Sequence, residues 1–276
     1  MQRGERAGFP RCKGRDRFHS FTYQEYGNGA RLVNGCLVLA TIGRLAVRGS
    51  RPLQGTPKTV TRAREADGWY VAISCAQVPG KPLLPTGEAA GIDLGLESFA
   101  TRADGSQIAA NPYIFRVAEM ALRRAQRRMS RRTRGGHRRR RAVVLLAKAH
   151  QRVRRARADC PHKTALAVVR QYDTSSHEDL QPAHLVKNQH LAKSSSDAGW
   201  SAFLSILSCK AAAAGKTVVA VPPAYTSQAC SGCGVLVHKG LSVRWHACPD
   251  CGTSLHRDHN AALNILRRGQ EMSRAG

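Results

Sequence analysis

Four cysteines near the C-terminal end are spaced to hold one metal ion. Cys230 and Cys233 stand in CSGC, and Cys248 and Cys251 in CPDC, giving C-x2-C-x14-C-x2-C. Each pair suits a tight knuckle turn, with Gly232, Gly234, Pro249 and Gly252 adjacent. Four thiolates close a tetrahedral shell around Zn²⁺ and leave no position for water, so the metal is structural. It supplies folding energy to a segment too small to bury a core of its own. A pair of redox dithiols is the rival reading; two pairs at ribbon spacing argue against it. Cys12, Cys36, Cys75, Cys160 and Cys209 are scattered singly, as unremarkable thiols of a reducing compartment.

A second constellation is made of acids. Asp93 sits inside Gly91-Ile92-Asp93-Leu94-Gly95, where the apolar neighbours imply a buried central strand. A carboxylate there is costly unless a metal or a partner compensates it. Glu178 follows a short strand at 172–177, and Asp258 opens a helix beginning His256-Arg257-Asp258. Taken singly, Glu178 reads as a solvated loop acid beside Asp179, and Asp258 as an acid complementing a helix macrodipole. Taken together, three acids from separate elements can converge on one end of a sheet and hold two Mg²⁺ ions roughly 4 Å apart, the arrangement that hydrolyses phosphodiesters. Mg²⁺ suits such sparse oxygen ligation because it keeps several waters and substrate phosphates in its shell.

The elements that would position these groups follow from periodicity and turn residues. Short strands with turns at Gly27-Asn28-Gly29, Asn34-Gly35 and Asp67-Gly68 fill residues 18–76 and suggest a small β-barrel or curled sheet. A Pro- and Gly-rich linker covers 77–89. GIDLG reads as a strand, and 98–110 as two more strands around Asp104-Gly105. Arginine dominates 116–171, broken by Gly135-Gly136; this reads as a basic helical hairpin, with a disordered arginine-rich arm as the alternative. A strand at 172–177, a polar stretch at 187–197, a helix over Trp200–Ala214, a strand at 216–222, the cysteine segment at 226–255 and a helix from about 257 to 268 complete the chain.

The charge names a partner class. Among 276 residues, 44 Lys and Arg face 18 Asp and Glu, a net charge of +26. An excess of that size favours a polyanion, because neutralised phosphates release condensed counterions. No apolar stretch of spanning length and no apolar leader core stand out, so no membrane partner is expected. With 42% hydrophobic residues, most of the chain can bury a core.

The succession GIDLG (91–95), HEDL (177–180), TSQACSGCG (226–234), CPDCG (248–252) and HRDHNAALNIL (256–266) resembles the TnpB (OrfB) family carried by insertion sequences, relatives of the type V CRISPR nucleases. The resemblance covers the chain from GFPRCKGR (8–15) to the last helix. It implies an α/β, RNase H-like (RuvC-like) nuclease core with an inserted basic helical hairpin and a zinc ribbon, preceded by a partial β-barrel wedge domain. The implied boundaries are 1–88 for the wedge, 89–225 for the core with its hairpin near 116–160, 226–255 for the ribbon, and 256–276 for the closing helix and tail. By motif, Asp93, Glu178 and Asp258 match the catalytic, magnesium-holding acids, and Cys230, Cys233, Cys248 and Cys251 the zinc ligands. The hairpin is expected to grip nucleic acid through Arg123, Arg124, Arg127, Arg128, Arg131, Arg132, Arg138 and Arg139.

The implied function is transposon-associated, RNA-guided DNA cleavage by a two-metal mechanism, with guide RNA and target DNA as partners, no obligatory oligomer, and a prokaryotic cytoplasm and nucleoid as the setting. Two departures support an alternative, a truncated and catalytically idle binder of RNA or DNA. The family's first wedge strand and helical recognition domain are not recognisable here, and Thr174-Ser175-Ser176 stands where a buried strand is usually apolar. A transposase that moves DNA itself is disfavoured, since no tyrosine nucleophile with a paired-histidine metal site is evident.

Overall fold

The computed structural model describes residues 18–95, 98–110, 114–180, 199–240 and 242–275. The motif GFPRCKGR and the polar stretch 187–197 lie outside them. The chain forms two compact units, residues 1–79 and 80–276.

The first unit is all antiparallel β. Strands β1 (Ser20–Tyr23), β5 (Thr56–Arg64) and β6 (Trp69–Ala76) form one sheet; β2 (Ala30–Val33), β3 (Cys36–Leu39) and β4 (Gly43–Ala46) form another. The β2–β3 turn is Asn34-Gly35, both at positive φ (47° and 73°), as a two-residue hairpin of right-handed twist requires. Ala30, Leu37, Leu39 and Val60 are buried together between the sheets.

The second unit is mixed α/β. Its sheet contains β7 (Ala89–Asp93), β8 (Ser98–Arg102), β9 (Gln107–Ala110), β10 (Thr174–Glu178) and β11 (Thr217–Val221), in the order β11-β10-β7-β8-β9. β7, β8 and β9 form an antiparallel meander, while β10 runs parallel to β7 and β11 parallel to β10. Helix α1 (Ile114–Ser130) and the long α2 (His137–Gln171) enter between β9 and β10; α3 (Trp200–Ala214) precedes β11, and α4 (Arg257–Ala275) closes the chain. A two-stranded ribbon of β12 (Trp245–Ala247) and β13 (Ser254–His256) precedes α4.

Strand alternation decides which residues meet which helices. On one face of the sheet Ala90 and Ile92 join Ala165, Val168 and Val169 of α2 and Phe203, Leu207 and Ala211 of α3 in the main core. Phe99 packs edge-on against Phe203, with ring centroids 5.1 Å apart. The end of the basic hairpin is therefore core: α2 continues past residue 160 to Gln171 and packs beneath the sheet. Nearer its start, Ala142 is buried, whereas Val143, Val144 and Leu145 remain exposed.

The opposite face lies against α4, and the approach is close because the sheet offers small residues. A Cβ on Gly91 would stand 2.1 Å from the Ala262 carbonyl oxygen and 2.6 Å from the Leu266 nitrogen. One on Gly269 would stand 2.5 Å from Ser176 Cβ. The run Thr174-Ser175-Ser176, unfavourable by strand propensity, is thus a fully paired strand between β7 and β11, and Ser176 provides the small side chain that the helix demands. The cost is a buried Ser176 hydroxyl with no hydrogen-bond partner. Ser176→Ala is accordingly expected to raise stability by about 1 kcal/mol in denaturant unfolding, by removing an unsatisfied polar group without adding volume. A loss of similar size would show that the hydroxyl is satisfied in solution.

At the amino ends of β7 and β10, Asp173 clasps the linker. It accepts hydrogen bonds from the Thr86 and Gly87 backbone N–H groups and pairs with buried Lys216, which also donates to the Leu84 carbonyl. The Lys216 ammonium and these N–H donors hold the Asp173 carboxyl far below its usual range. Among the described residues, no helix is long and apolar enough to cross a membrane.

Candidate active site and metal centre

Asp93 is the last residue of β7 and Glu178 the last of β10. Ile92 and His177 are partners in the parallel ladder, so the two acids that follow them sit side by side at the carboxyl ends of adjacent strands. This is where open sheets with parallel strands present ligand-binding groups. By alternation, Asp93 shares the face of Gly91 and Glu178 the face of Ser176, the α4 side in both cases. Asp258 lies in the first turn of α4. A side chain at Gly95, just beyond β7, would stand 3.7 Å from Asp258 Oδ2. The tight contact of α4 with Gly91 is therefore what carries Asp258 to the end of β7.

Asp93 feels the other two acids. Burial, then the charges of Glu178 and Asp258, hold the Asp93 carboxyl well above the ordinary carboxylate range, with Arg257 offsetting part of the rise. Burial also raises Glu178, against the opposing pull of the Thr226 hydroxyl, Arg268 and Arg257. A buried carboxylate whose ionisation is opposed by two neighbouring acids is the kind of donor that a divalent cation stabilises.

The four cysteines meet a stricter test. Their Sγ atoms all lie within 4.8 Å of one another. Cys230 Sγ is 3.6 Å from Cys251 Sγ, and Cys233 Sγ is 3.6 Å from Cys248 Sγ. A tetrahedral shell with Zn–S bonds near 2.3 Å requires sulfurs about 3.8 Å apart, so the residues fit zinc. The two knuckles repeat one construction. Gly234 N–H donates to the Cys230 carbonyl at 2.9 Å and Gly252 N–H to the Cys248 carbonyl at 3.1 Å, with both glycines at positive φ. Gly232 is required because a Cβ there would stand 2.5 Å from Thr253 Oγ1 and 3.3 Å from Cys251 Sγ. The Thr253 hydroxyl and backbone N–H lower the Cys251 thiol to about 6, favouring the thiolate that a metal needs.

Side chains not singled out in the sequence join this centre to the acids. Thr226, at the entry to the cysteine segment, donates its hydroxyl to Glu178. Asn260 Nδ2 donates to the Ala229 carbonyl at 2.7 Å, and its Oδ1 accepts from Ser231 N–H at 2.9 Å. Asn264 Nδ2 donates to the carbonyls of Thr226 and Ala229 at 2.9 and 2.8 Å. Arg268 donates to the carbonyls of Pro222 and Ala224. The first knuckle is thereby fastened to the helix that bears Asp258. The available signal was the spacing of Asn260 and Asn264, one helical turn apart among Ala261, Ala262 and Ile265.

The arginines divide. Arg124, Arg127, Arg128, Arg131 and Arg132 line one open cleft along the end of α1. Arg123 pairs with Glu119 at 2.7 Å, and Arg138 is exposed. Arg139 Nη1 donates to the carbonyls of Met129 and Arg132, both at 3.0 Å, and so caps the end of α1.

Comparisons with known proteins find relatives of the chain. The model of the OrfB_IS605 family, described as "Probable transposase", matches residues 72–189, and that of the Cas12f1-like TNB domain matches residues 200–265. A Streptomyces pristinaespiralis protein provisionally named an RNA-guided DNA endonuclease is 37% identical over 279 residues, covering 99% of this chain and 68% of its own length. Escherichia coli K12 InsQ, provisionally named likewise, is 29% identical over 290 residues, covering 99% of this chain and 71% of its own. A chain in the cryo-electron microscopy structure of a Cas12f1–sgRNA–target DNA complex superposes with a TM-score of 0.54 at 18% identity, over 76% of this chain and 45% of that one. That last likeness is one of fold. Identity to the Streptomyces protein along nearly the whole of this chain places it in the TnpB (OrfB) family of insertion-sequence RNA-guided DNA endonucleases.

Proposed function

We propose that this chain cleaves DNA under the direction of a guide RNA, at an Asp93–Glu178–Asp258 site on an RNase H-like (RuvC-like) core. The observation that carries the reading is the convergence of the three acids. Two close the carboxyl ends of adjacent parallel strands, and the third opens the helix packed across those strands. The sheet supports it: an antiparallel meander extended by two parallel strands is the layout of that nuclease core. The first unit then corresponds to the wedge, residues 226–255 to the zinc ribbon, and α1 with the first part of α2 to the nucleic-acid-gripping hairpin.

Each residue has a task. Asp93, Glu178 and Asp258, all ionised, would hold magnesium. When bound, the metal supplies the positive charge that activates a water toward phosphorus and stabilises the departing 3′-oxygen. Thr226 fixes the orientation of Glu178 through its hydroxyl. Arg257 and Arg268 keep the cluster tolerable before the cations arrive, since their charges oppose the rise of Glu178. The arginine-lined cleft on α1 suits a phosphate backbone, which is read without regard to sequence while base pairing with the guide supplies specificity.

The test is to co-express the chain with the RNA encoded at the flank of its own gene and to assay Mg²⁺-dependent cutting of a matched DNA. Cutting that needs the RNA, the metal and Asp93, with RNA binding kept in Asp93→Ala, is the expected result. Undiminished cutting by Asp93→Ala would refute the site. Tight RNA binding without cutting would identify an idle binder. The polar strand that favoured such a binder is paired on both sides, which removes that part of its support.

A further inference from the structure

The Phe, Tyr and Trp side chains described in the second unit divide sharply by exposure. Phe99, Tyr172, Trp200 and Phe203 are buried in the main core. Tyr225 and Trp245 are each 56% exposed; the first immediately precedes the cysteine segment and the second lies within it. Tyr225 has φ 62°, in the left-handed region that residues with a side chain rarely adopt. Backbone bonds enforce that conformation. The Tyr225 carbonyl accepts from the Gln228 and Ala229 N–H groups at 3.0 and 2.8 Å. On one side Arg268 holds the carbonyls of Pro222 and Ala224. On the other, Thr226 donates its hydroxyl to Glu178, and Asn264 holds the Thr226 carbonyl at 2.9 Å. None of these bonds uses the Tyr225 ring. An unfavourable backbone conformation enforced around an exposed ring points to a use for the ring outside the fold.

Trp245 stands in a similar relation to the third acid. It pairs with His256 across β12 and β13 and meets that ring edge-on, with centroids 6.5 Å apart. His256 Nδ1 in turn accepts the Asp258 N–H at 3.3 Å. The indole N–H is already bonded to Ser254 Oγ at 2.7 Å, so what Trp245 offers to a ligand is its apolar ring. Tyr225 is thus fixed next to the residue that bonds Glu178, and Trp245 against the residue that bonds Asp258.

We infer that Tyr225 and Trp245 hold the strand to be cut by stacking on its bases beside these two acids. The net charge of +26 draws phosphate of any kind, whereas a ring adds a demand that phosphate cannot meet, a free base face. Bases inside a duplex are covered above and below, so the occupant is a single strand or a locally opened one. Every base has such a face, and the hold is therefore indifferent to sequence. The inference rests on reading the three acids as the site and adds which side chains hold its substrate.

The test compares binding of the full chain to two oligodeoxynucleotides of equal length, one of thymidylates and one abasic throughout. Ca²⁺ replaces Mg²⁺ so that the strands are held without being cut. The two carry the same phosphates, so any preference for the first reports contacts to bases. Tyr225→Gly, which is at ease with positive φ, should melt no lower than the parent and yet lose that preference by about five- to a hundredfold. Tyr225→Asn, also tolerant of this conformation, should behave alike, and Tyr225→Phe should keep the preference. Trp245→Ala should lose it in the same direction. The abasic strand should bind all the variants as it binds the parent. A preference within twofold of the parent in both Tyr225→Gly and Trp245→Ala would overturn the inference. So would equal weakening toward both strands, which is the mark of a merely structural role. This readout involves no cleavage, so its failure is distinct from undiminished cutting by Asp93→Ala, which refutes the acid site itself.

Discussion

Asp93→Asn is expected to abolish cleavage and, in the absence of divalent metal, to make the protein more stable. The two effects share one cause. In the metal-free fold Asp93 is held well above its ordinary value by burial and by the charges of Glu178 and Asp258. A proton is thus bound more tightly folded than unfolded. Whatever stability this difference contributes is fully present below the unfolded value, near 4, and is lost as pH rises through the raised folded value. Asparagine does not titrate and keeps nearly the same shape. The variant should therefore melt at a higher temperature than the parent at pH 8, by about 2–4 °C for each kcal/mol recovered, and the two should converge toward pH 4. Mg²⁺ should raise the melting temperature of the parent and leave the variant nearly unmoved, because only a ligand that prefers the native state stabilises it. Cleavage should fall at least about a thousandfold, equivalent to some 4 kcal/mol of transition-state stabilisation. A variant less stable than the parent at pH 8 would mean that Asp93 is compensated by a protein partner, and the site would lose its reason to recruit metal.

What the sequence revealed and what it hid divide along physical lines. Cys230, Cys233, Cys248 and Cys251 were legible because metal ligation constrains residue type and local spacing together, and the knuckle geometry follows from four-residue turns. The helix around Trp200–Ala214 was legible because glycines in the left-handed conformation, Gly199 and Gly215, bound an apolar run. Asp93 stood out because an acid among apolar residues must be explained. Glu178 and Asp258 were plausible only in combination, since each has an ordinary surface reading and their meeting depends on long-range packing. The serines of β10 show the limit most plainly. Strand propensity counts Ser176 as a weakness, yet its size is what admits Gly269 and lets α4 lie close to the sheet. Propensity is local, whereas that contact joins residues far apart in sequence. Thr226, Asn260 and Asn264 were missed for the same reason: their partners are backbone carbonyls and a carboxylate on other elements. Arginine identity was equally blind to role, for Arg139 caps α1 while its neighbours face solvent.

Loss of the ribbon metal is expected to disable the acids as well as unfold the ribbon. Cys248→Ser, or removal of zinc by a chelator, takes away a ligand set whose metal contributes on the order of 10–16 kcal/mol in small zinc modules, more than residues 226–255 can recover by packing. Among the described residues of that segment the secondary structure is limited to the short β12–β13 pair and one bridge between Ala229 and Leu236. Its amides should exchange rapidly and its backbone should become open to protease. The consequence reaches further because the ribbon supplies the partners of the site. Thr226 would leave Glu178, and the carbonyls of Thr226 and Ala229 would leave Asn260 and Asn264, stranding two buried amides on the helix that holds Asp258. Each unsatisfied buried amide costs about 1–3 kcal/mol, so the first turns of α4 should loosen and cleavage should fall even at saturating Mg²⁺. Hydrogen exchange read along the chain, with and without zinc, separates the possibilities. Deprotection confined to 226–255 with full cleavage would show the ribbon to be independent of the acids. Deprotection spreading into 257–264, together with lost cleavage restored by added zinc in the chelated parent, would show that the structural metal holds the catalytic helix in place.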